Sequence, residues 1–292
     1  MTLASCDSRK TAGENPFFTE WDTPHGVPPF DKILPEHFMP AFERGMSLHE
    51  AEIDAITSNK DEATFENTIL AYDNAGQMLA QTELVFGMLC AAETNDRMQA
   101  LQEQAMPLLA AHRDKIRLDD KLFVRVKEVY DRRAALGLDA EQMRLLQKTY
   151  DSFVRAGALL DAEQKARLKE INGQLSLTAV KFGNNILAEN NNFVLELKSD
   201  ELDGLPAGIR DAAREKAQQM GKGDKWVFTL HKPSLIPLLT YSTRRDLREK
   251  IYKAYLNRCN NGDEYDNKQL INDFIRLRTE KAHLLGYPSY AA

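Results

Sequence analysis

The sequence predicts a mainly α protein: one elongated, antiparallel helical domain that carries a single small two-stranded β element at about 193–197 and 226–230. Three observations predict it. Apolar residues recur at steps of three and four along most of the chain, the spacing at which a helix buries one face. Helix-start and helix-stop residues punctuate those runs, among them two capping boxes. The apolar period drops to two in only two short stretches, Phe193-Val194-Leu195-Glu196-Leu197 and Trp226-Val227-Phe228-Thr229-Leu230, as in half-buried strands.

Residues 1–14 read as a disordered spacer. Within it, Leu3-Ala4-Ser5-Cys6 has the form of a lipoprotein processing box, in which small residues precede a cysteine that becomes lipidated. This predicts a bacterial cell-envelope or periplasmic location through Cys6, with a cytoplasmic location as the alternative. Residues 15–46 follow, holding Pro16, Pro24, Pro28, Pro29, Pro35 and Pro40 interleaved with Phe17, Phe18, Trp21, Phe30 and Phe38. Proline at this density opposes a helix, and the aromatic rings need burial. The expectation is an extended arm lying across a helical surface.

Pro40 suits a first helical turn, and Phe42, Met46, His49, Ile53 and Ile56 continue the helix at steps of three or four. Thr64 reads as the N-cap of one long helix from Phe65 to about Glu93, with Ile69, Tyr72, Leu79, Phe86 and Met88 among its apolar positions. Asn95 or Asp96 opens the next helix, through Met98, Leu101, Ala105, Leu108 and His112 to Ile116, with a kink expected at Pro107. Asp119 and Asp120 begin a shorter helix with Leu122, Val126 and Val129 on one face.

Asp139-Ala140-Glu141-Gln142 and Asp161-Ala162-Glu163-Gln164 are the capping boxes. The second opens a long helix through Leu168, Ile171, Leu175, Phe182 and Ile186 that ends at Asn190-Asn191-Asn192. Between the two strands lie the turn Asp203-Gly204-Leu205-Pro206, a helix to about Met220, and a Gly-Lys loop. A short helix is expected over 233–241, and Thr243 is expected to cap a helix from Arg244 to about Cys259. In the last helix Asp266 is the expected N-cap, Leu270, Phe274, Leu277 and Leu284 (or Leu285) form the stripe, and Gly286 and Pro288 are the stop.

Composition excludes several function classes. Lys+Arg number 38 against 44 Asp+Glu, a net charge of −6, which argues against a nucleic-acid surface, since such a surface displaces counterions with a net basic face. No apolar run reaches the ~18 residues of a membrane-spanning helix. Cys6, Cys90 and Cys259 are far apart and odd in number, unsuited to a disulfide framework or a cysteine zinc site. Cys90 reads as a small core residue.

The six histidines are His25, His37, His49, His112, His231 and His283. No two stand four apart, so no helix presents paired imidazoles to a metal. In His49-Glu50-Ala51-Glu52-Ile53, Ile53 occupies the position a second ligand would need, and the segment reads as an ordinary amphipathic turn with His49 packed. His37 reads as a buried, hydrogen-bonded histidine. Gly221-Lys222-Gly223-Asp224-Lys225 lacks the spacing of a phosphate loop and reads as a turn. Arg244-Arg245-Asp246-Leu247-Arg248-Glu249-Lys250 is mixed in sign and reads as a solvated helix face. The residues themselves thus nominate no catalytic, cofactor-binding or metal-ligating residue.

Several segments, in order, resemble one family. The arm N-P-F-F-x-x-W-x-T-P…P-P-F-D-K-I…P-E-H-F-x-P-A-F, the segment Thr64-Phe65-Glu66-Asn67-Thr68-Ile69, and the ending Leu277-Arg278-x-x-x-Ala282-x-Leu284-Leu285-Gly286-Tyr287-Pro288-x-Tyr290-Ala291 are similar to the zinc oligopeptidases. That family includes thimet oligopeptidase, oligopeptidase A and bacterial peptidyl-dipeptidase (dipeptidyl carboxypeptidase), and Asn-Pro-Phe-Phe and Leu-Gly-Tyr-Pro-Ser-Tyr-Ala-Ala resemble the last of these most. The resemblance runs from about Asn15 to Ala292 and implies only the N-terminal portion of such a protein. It implies an almost wholly helical fold with two lobes around a channel, short peptides as substrates, and release of dipeptides from their C-termini. It also implies zinc on an H-E-x-x-H helix in a C-terminal catalytic lobe. H-E-x-x-H is absent from this sequence, so the resemblance assigns no catalytic, cofactor or metal residue here and implies that this chain alone binds no zinc and cleaves nothing. The other expectation weighed is a stand-alone helical module that binds peptides or proteins without catalysis.

Overall fold

The computed structural model describes residues 15–292, so the N-terminal spacer and the Cys6 box lie outside the described residues. The protein is mainly helical, with ten helices and one two-stranded antiparallel sheet among the described residues. It divides into two compact units, one made of residues 15–177 with Thr279–Ala292 and the other of Thr178–Arg278.

In the first unit the proline-rich arm is not extended. It forms three 3-10 turns, Pro16–Phe18, Pro24–Gly26 and Pro35–His37, each opened by the proline whose fixed φ suits a first helical position. Asn15 ties the arm down at both ends: its Oδ1 accepts the Phe17 N–H at 3.1 Å and its Nδ2 donates to the His37 carbonyl at 2.8 Å. Phe17 is buried against Phe38, which packs edge-on to Phe86 with ring centroids 4.9 Å apart. The arm therefore lies on helix α1 (Phe38–Ser58) and helix α2 (Gln77–Ala92). Phe30 departs from expectation and stays exposed. Cys90 is a half-buried member of the same apolar cluster.

Thr64 caps as its sequence predicts, accepting the Asn67 N–H at 3.1 Å while Asn67 Oδ1 accepts the Thr64 N–H at 2.8 Å. The single long helix from Phe65 to Glu93 does not form. A π-helical segment Phe65–Leu70 and one turn, Ala71–Asp73, break at Gly76 before α2 begins. Gly76 takes a left-handed φ of 75°, its N–H donates to Glu52 Oε2 at 2.7 Å, and a Cβ there would lie 2.9 Å from His49 Nδ1. The break is fixed by residues of α1, which close against the only residue type that fits.

Helix α3 (Asp96–Arg117) starts where Asn95 accepts the Met98 N–H and runs through Pro107. Asp119 caps α4 (Asp120–Asp131), and α5 (Ala140–Arg155) and α6 (Ala162–Asn192) begin at their capping boxes. Ile53, Ile69, Leu122, Val126, Leu146 and Phe153 form one core from α1, α4, α5 and the π segment. Each such side chain contributes about 1.5–3 kcal/mol on burial.

In the second unit strands β1 (Leu195–Leu197) and β2 (Trp226–Phe228) pair antiparallel with Leu195 opposite Phe228. Leu195 and Leu197 are buried and Glu196 between them is exposed, the alternation a half-buried strand requires. Helices α7 (Ala207–Gln219), α8 (Lys232–Tyr241) and α9 (Arg245–Leu256) complete this core through Ala213, Leu235, Leu238, Leu247 and Ile251. Thr243 does not cap α9, because its hydroxyl donates instead to Asp203 Oδ2 at 2.5 Å and its N–H to the Asp203 carbonyl at 3.1 Å. Helix α10 (Lys268–Leu284) opens with Asp266 Oδ1 accepting the Lys268 N–H at 2.9 Å. Hydrogen bonds to Asp266 hold its carboxyl down to about 2, the Lys268 ammonium contributing most. At the other end, within the first unit, Tyr287 N–H donates to the Ala282 carbonyl at 2.8 Å and Gly286 N–H to His283 at 3.0 Å, the bonding pattern of a glycine-terminated helix.

Candidate functional site

The chemistry of the first unit concentrates on one face of α5. Arg144, Lys148, Asp151, Ser152 and Arg155 follow at spacings of three and four, so they share a side of the helix. Leu146, Thr149 and Phe153 lie on the other side and are buried. Asp114 and Arg117 from the end of α3, Asn172 from α6 and Lys281 from α10 meet that face, and together they line a cleft of about 640 Å³. Five cationic side chains and two carboxylates line it.

Asn172 links the two most enclosed charges. Its Nδ2 donates to Asp114 Oδ1 at 2.8 Å, and its Oδ1 accepts from Lys281 Nζ at 2.6 Å. Burial pushes the Asp114 carboxyl above its ordinary range and the Lys281 ammonium below its own, because both charged forms lose hydration. Arg167 clamps α6 to α10 beside this link, its Nε and Nη2 donating to the two Glu280 oxygens at 2.6 and 2.9 Å. That fork is the bidentate geometry in which Arg holds a carboxylate with a fixed orientation. Asp151 accepts from Gln147 Nε2 at 2.9 Å. Among the described residues, Arg117, Arg144, Lys148 and Arg155 have no carboxylate within ion-pair distance.

The histidines are placed as follows. His49 and His112 come together, Nδ1 to Nε2 3.0 Å apart, a pairing sequence reading did not find. Burial pushes both below the ordinary histidine range. Glu50 lies 3.4 Å from His112 Nδ1 and pairs with Lys115 at 2.8 Å. Ile53, at the position of the absent second ligand, is buried in the core. Zinc does not fit this arrangement: each imidazole faces the other, and among the described residues no group of three His, Cys, Asp or Glu side chains is arranged to hold a metal. His37 is half-buried, its Nδ1 accepting the Leu34 N–H at 3.1 Å. His231 faces Thr229, and His25 and His283 are exposed.

The loop after α7 is a turn in which Lys222 pairs with Glu196 at 2.9 Å. At the start of α9, Arg244 forks onto Asp246 at 3.0 and 2.8 Å, an exposed pair consistent with a solvated face. The cleft itself escaped sequence reading. Its one local signal was the Arg144, Lys148, Ser152, Arg155 stripe directly after a capping box.

Residues 238–292 match the model of Peptidase family M3. Over 279 residues, 95% of the chain, the sequence is 37% identical to a dipeptidyl carboxypeptidase of Escherichia coli and 34% identical to that of Salmonella typhimurium. Over 274 residues it is 27% identical to oligopeptidase A of Escherichia coli. The chain spans about two fifths of the length of these relatives, 41%, 41% and 40% respectively.

Proposed function

From the kinship of this chain with the N-terminal portion of M3-family peptidases, we propose that it forms the N-terminal helical lobe of a zinc metallopeptidase of the peptidyl-dipeptidase kind. In this reading the full protein removes dipeptides from the C-termini of short peptides. This lobe builds one wall of the substrate channel, and a C-terminal catalytic lobe supplies the H-E-x-x-H helix and the zinc. The observation that carries the reading is the similarity along 95% of the chain to dipeptidyl carboxypeptidases. The helical fold and the polar cleft support it. When bound, zinc would polarise the scissile carbonyl and activate water; the residues described here contribute peptide binding and access to the channel, and no chemical step.

A chimera tests this. Residues 15–292 replace the matching segment of the Escherichia coli dipeptidyl carboxypeptidase, which is 37% identical. The reading predicts zinc-dependent release of C-terminal dipeptides by the chimera. A folded, zinc-loaded chimera that releases none would contradict it. The Leu3-Ala4-Ser5-Cys6 box supports anchoring in the cell envelope by a lipid on Cys6, and a mature protein that incorporates no labelled fatty acid in cells would rule that out.

A further inference from the structure

Cations gather around the cleft although the chain is acidic, at −6. Some exposed Lys and Arg elsewhere pair with carboxylates, as in Lys127–Asp131, Arg167–Glu170 and Lys253–Glu249. Among the described residues Arg117, Arg144, Lys148 and Arg155 have no such partner, and together with the more enclosed Lys281 they outnumber the two carboxylates, Asp114 and Asp151, that line the same concavity. Like charges held together around a low-dielectric wall repel one another and sustain a positive potential that an entering anion relieves. Three of the five are arginines, whose planar forks match carboxylates bidentately. Ser152 and Asn172 add neutral hydrogen-bonding groups to the lining. The volume, about 640 Å³, falls within the roughly 300–1,000 Å³ of small-ligand sites.

We infer that the cleft between α3, α5, α6 and α10 is a carboxylate-binding site that holds the carboxylate groups of a peptide. That the ligand is a peptide rests on the proposed function; the charge arrangement stands without it. Two sources share this chemistry, acidic side chains and the C-terminal α-carboxylate.

Fluorescence anisotropy with the full 292-residue chain separates them. Three labelled short peptides are used: one rich in glutamate with an amidated C-terminus, one neutral with a free C-terminus, and the neutral one amidated. The glutamate peptide, the free-acid peptide or both bind, and the amidated neutral peptide does not. Whichever binds identifies the carboxylate source. The double substitution Arg144→Glu and Lys148→Glu, at two exposed positions, weakens that binding about tenfold or more, and added salt weakens it in the native chain. Should that variant fail to fold by circular dichroism, Arg144→Gln with Lys148→Gln takes its place under the same criteria. No binding by either carboxylate peptide, equal binding of the amidated neutral peptide, or an affinity untouched by the substitutions overturns the inference. Loss of carboxylate binding beside an active chimera refutes this site and leaves the peptidase reading standing. Carboxylate binding beside an inactive chimera does the reverse.

Discussion

His49 Nδ1 and His112 Nε2 lie 3.0 Å apart, joining α1 to α3 through two half-exposed or buried imidazoles 63 positions apart in the chain. Burial holds both below the ordinary range; the partner ring lowers His49 further, while Glu50 and Glu52 act on it in the opposite sense. At His112, Glu50 and Glu83 raise the value and Lys115 lowers it, yet burial prevails. The unfolded chain, with histidines near 6.5, therefore binds protons before the folded chain does. Stability contributed by the pair is complete above about pH 6.5 and is lost as pH falls through the folded values. Thermal unfolding between about pH 7.5 and pH 5.5 should show a falling Tm, and the variant His49→Gln with His112→Gln should show a flatter profile. An unchanged slope in the variant would remove the pair as its source.

Arg125 is buried and holds the loop before the π segment. Its Nη1 donates to the carbonyls of Asn59 and Asp61 at 3.0 and 3.2 Å, and its Nη2 donates to Asn67 Oδ1 at 3.1 Å. Arg125→Met should cost about 3 kcal/mol, because each buried acceptor left unpaired costs about 1–3 kcal/mol. Arg125→Lys should recover only part of this, since an ammonium cannot span the three acceptors as a fork does. Denaturant unfolding measures both variants.

Gly204 has φ of 82°, and a Cβ there would lie 2.2 Å from the Tyr241 carbonyl oxygen. Left-handed backbone alone costs an alanine about 1–2 kcal/mol, and this contact is with main chain that must move. Gly204→Ala should therefore lose more than about 2 kcal/mol. Gly173, inside α6 with nothing within 4 Å of its absent Cβ, should behave oppositely and gain about 0.5–1 kcal/mol as alanine. Equal effects at the two sites in chemical denaturation would contradict this account of Gly204.

What the sequence made legible was local. The capping pairs Thr64 with Asn67, Asp139 with Gln142 and Asp161 with Gln164 mark segment starts because both partners lie within one turn. The strand pair was visible because its period changes. The break at Gly76 was not, because apolar spacing continues across it and its cause, Glu52, lies 24 residues earlier on another helix. Thr243 looks like a cap in sequence and is not one, for a similar reason: Asp203, 40 residues away, captures the hydroxyl that a cap would use. The cleft draws its lining from α3, α5, α6 and α10, and only the α5 stripe lies in one stretch of sequence. The absence of H-E-x-x-H could be read directly, whereas the His49–His112 contact needed the fold.

In the proposed function this chain contributes a channel wall and peptide binding, and a further lobe carries the zinc chemistry. The most direct measurement is peptide hydrolysis by the purified 292-residue chain supplied with zinc, with and without a chelator, its metal content determined in parallel. Less than stoichiometric zinc and no release of dipeptides are expected under either condition. Dipeptide release that the chelator abolishes would contradict this reading, and would mean that side chains described here assemble a metal site of their own.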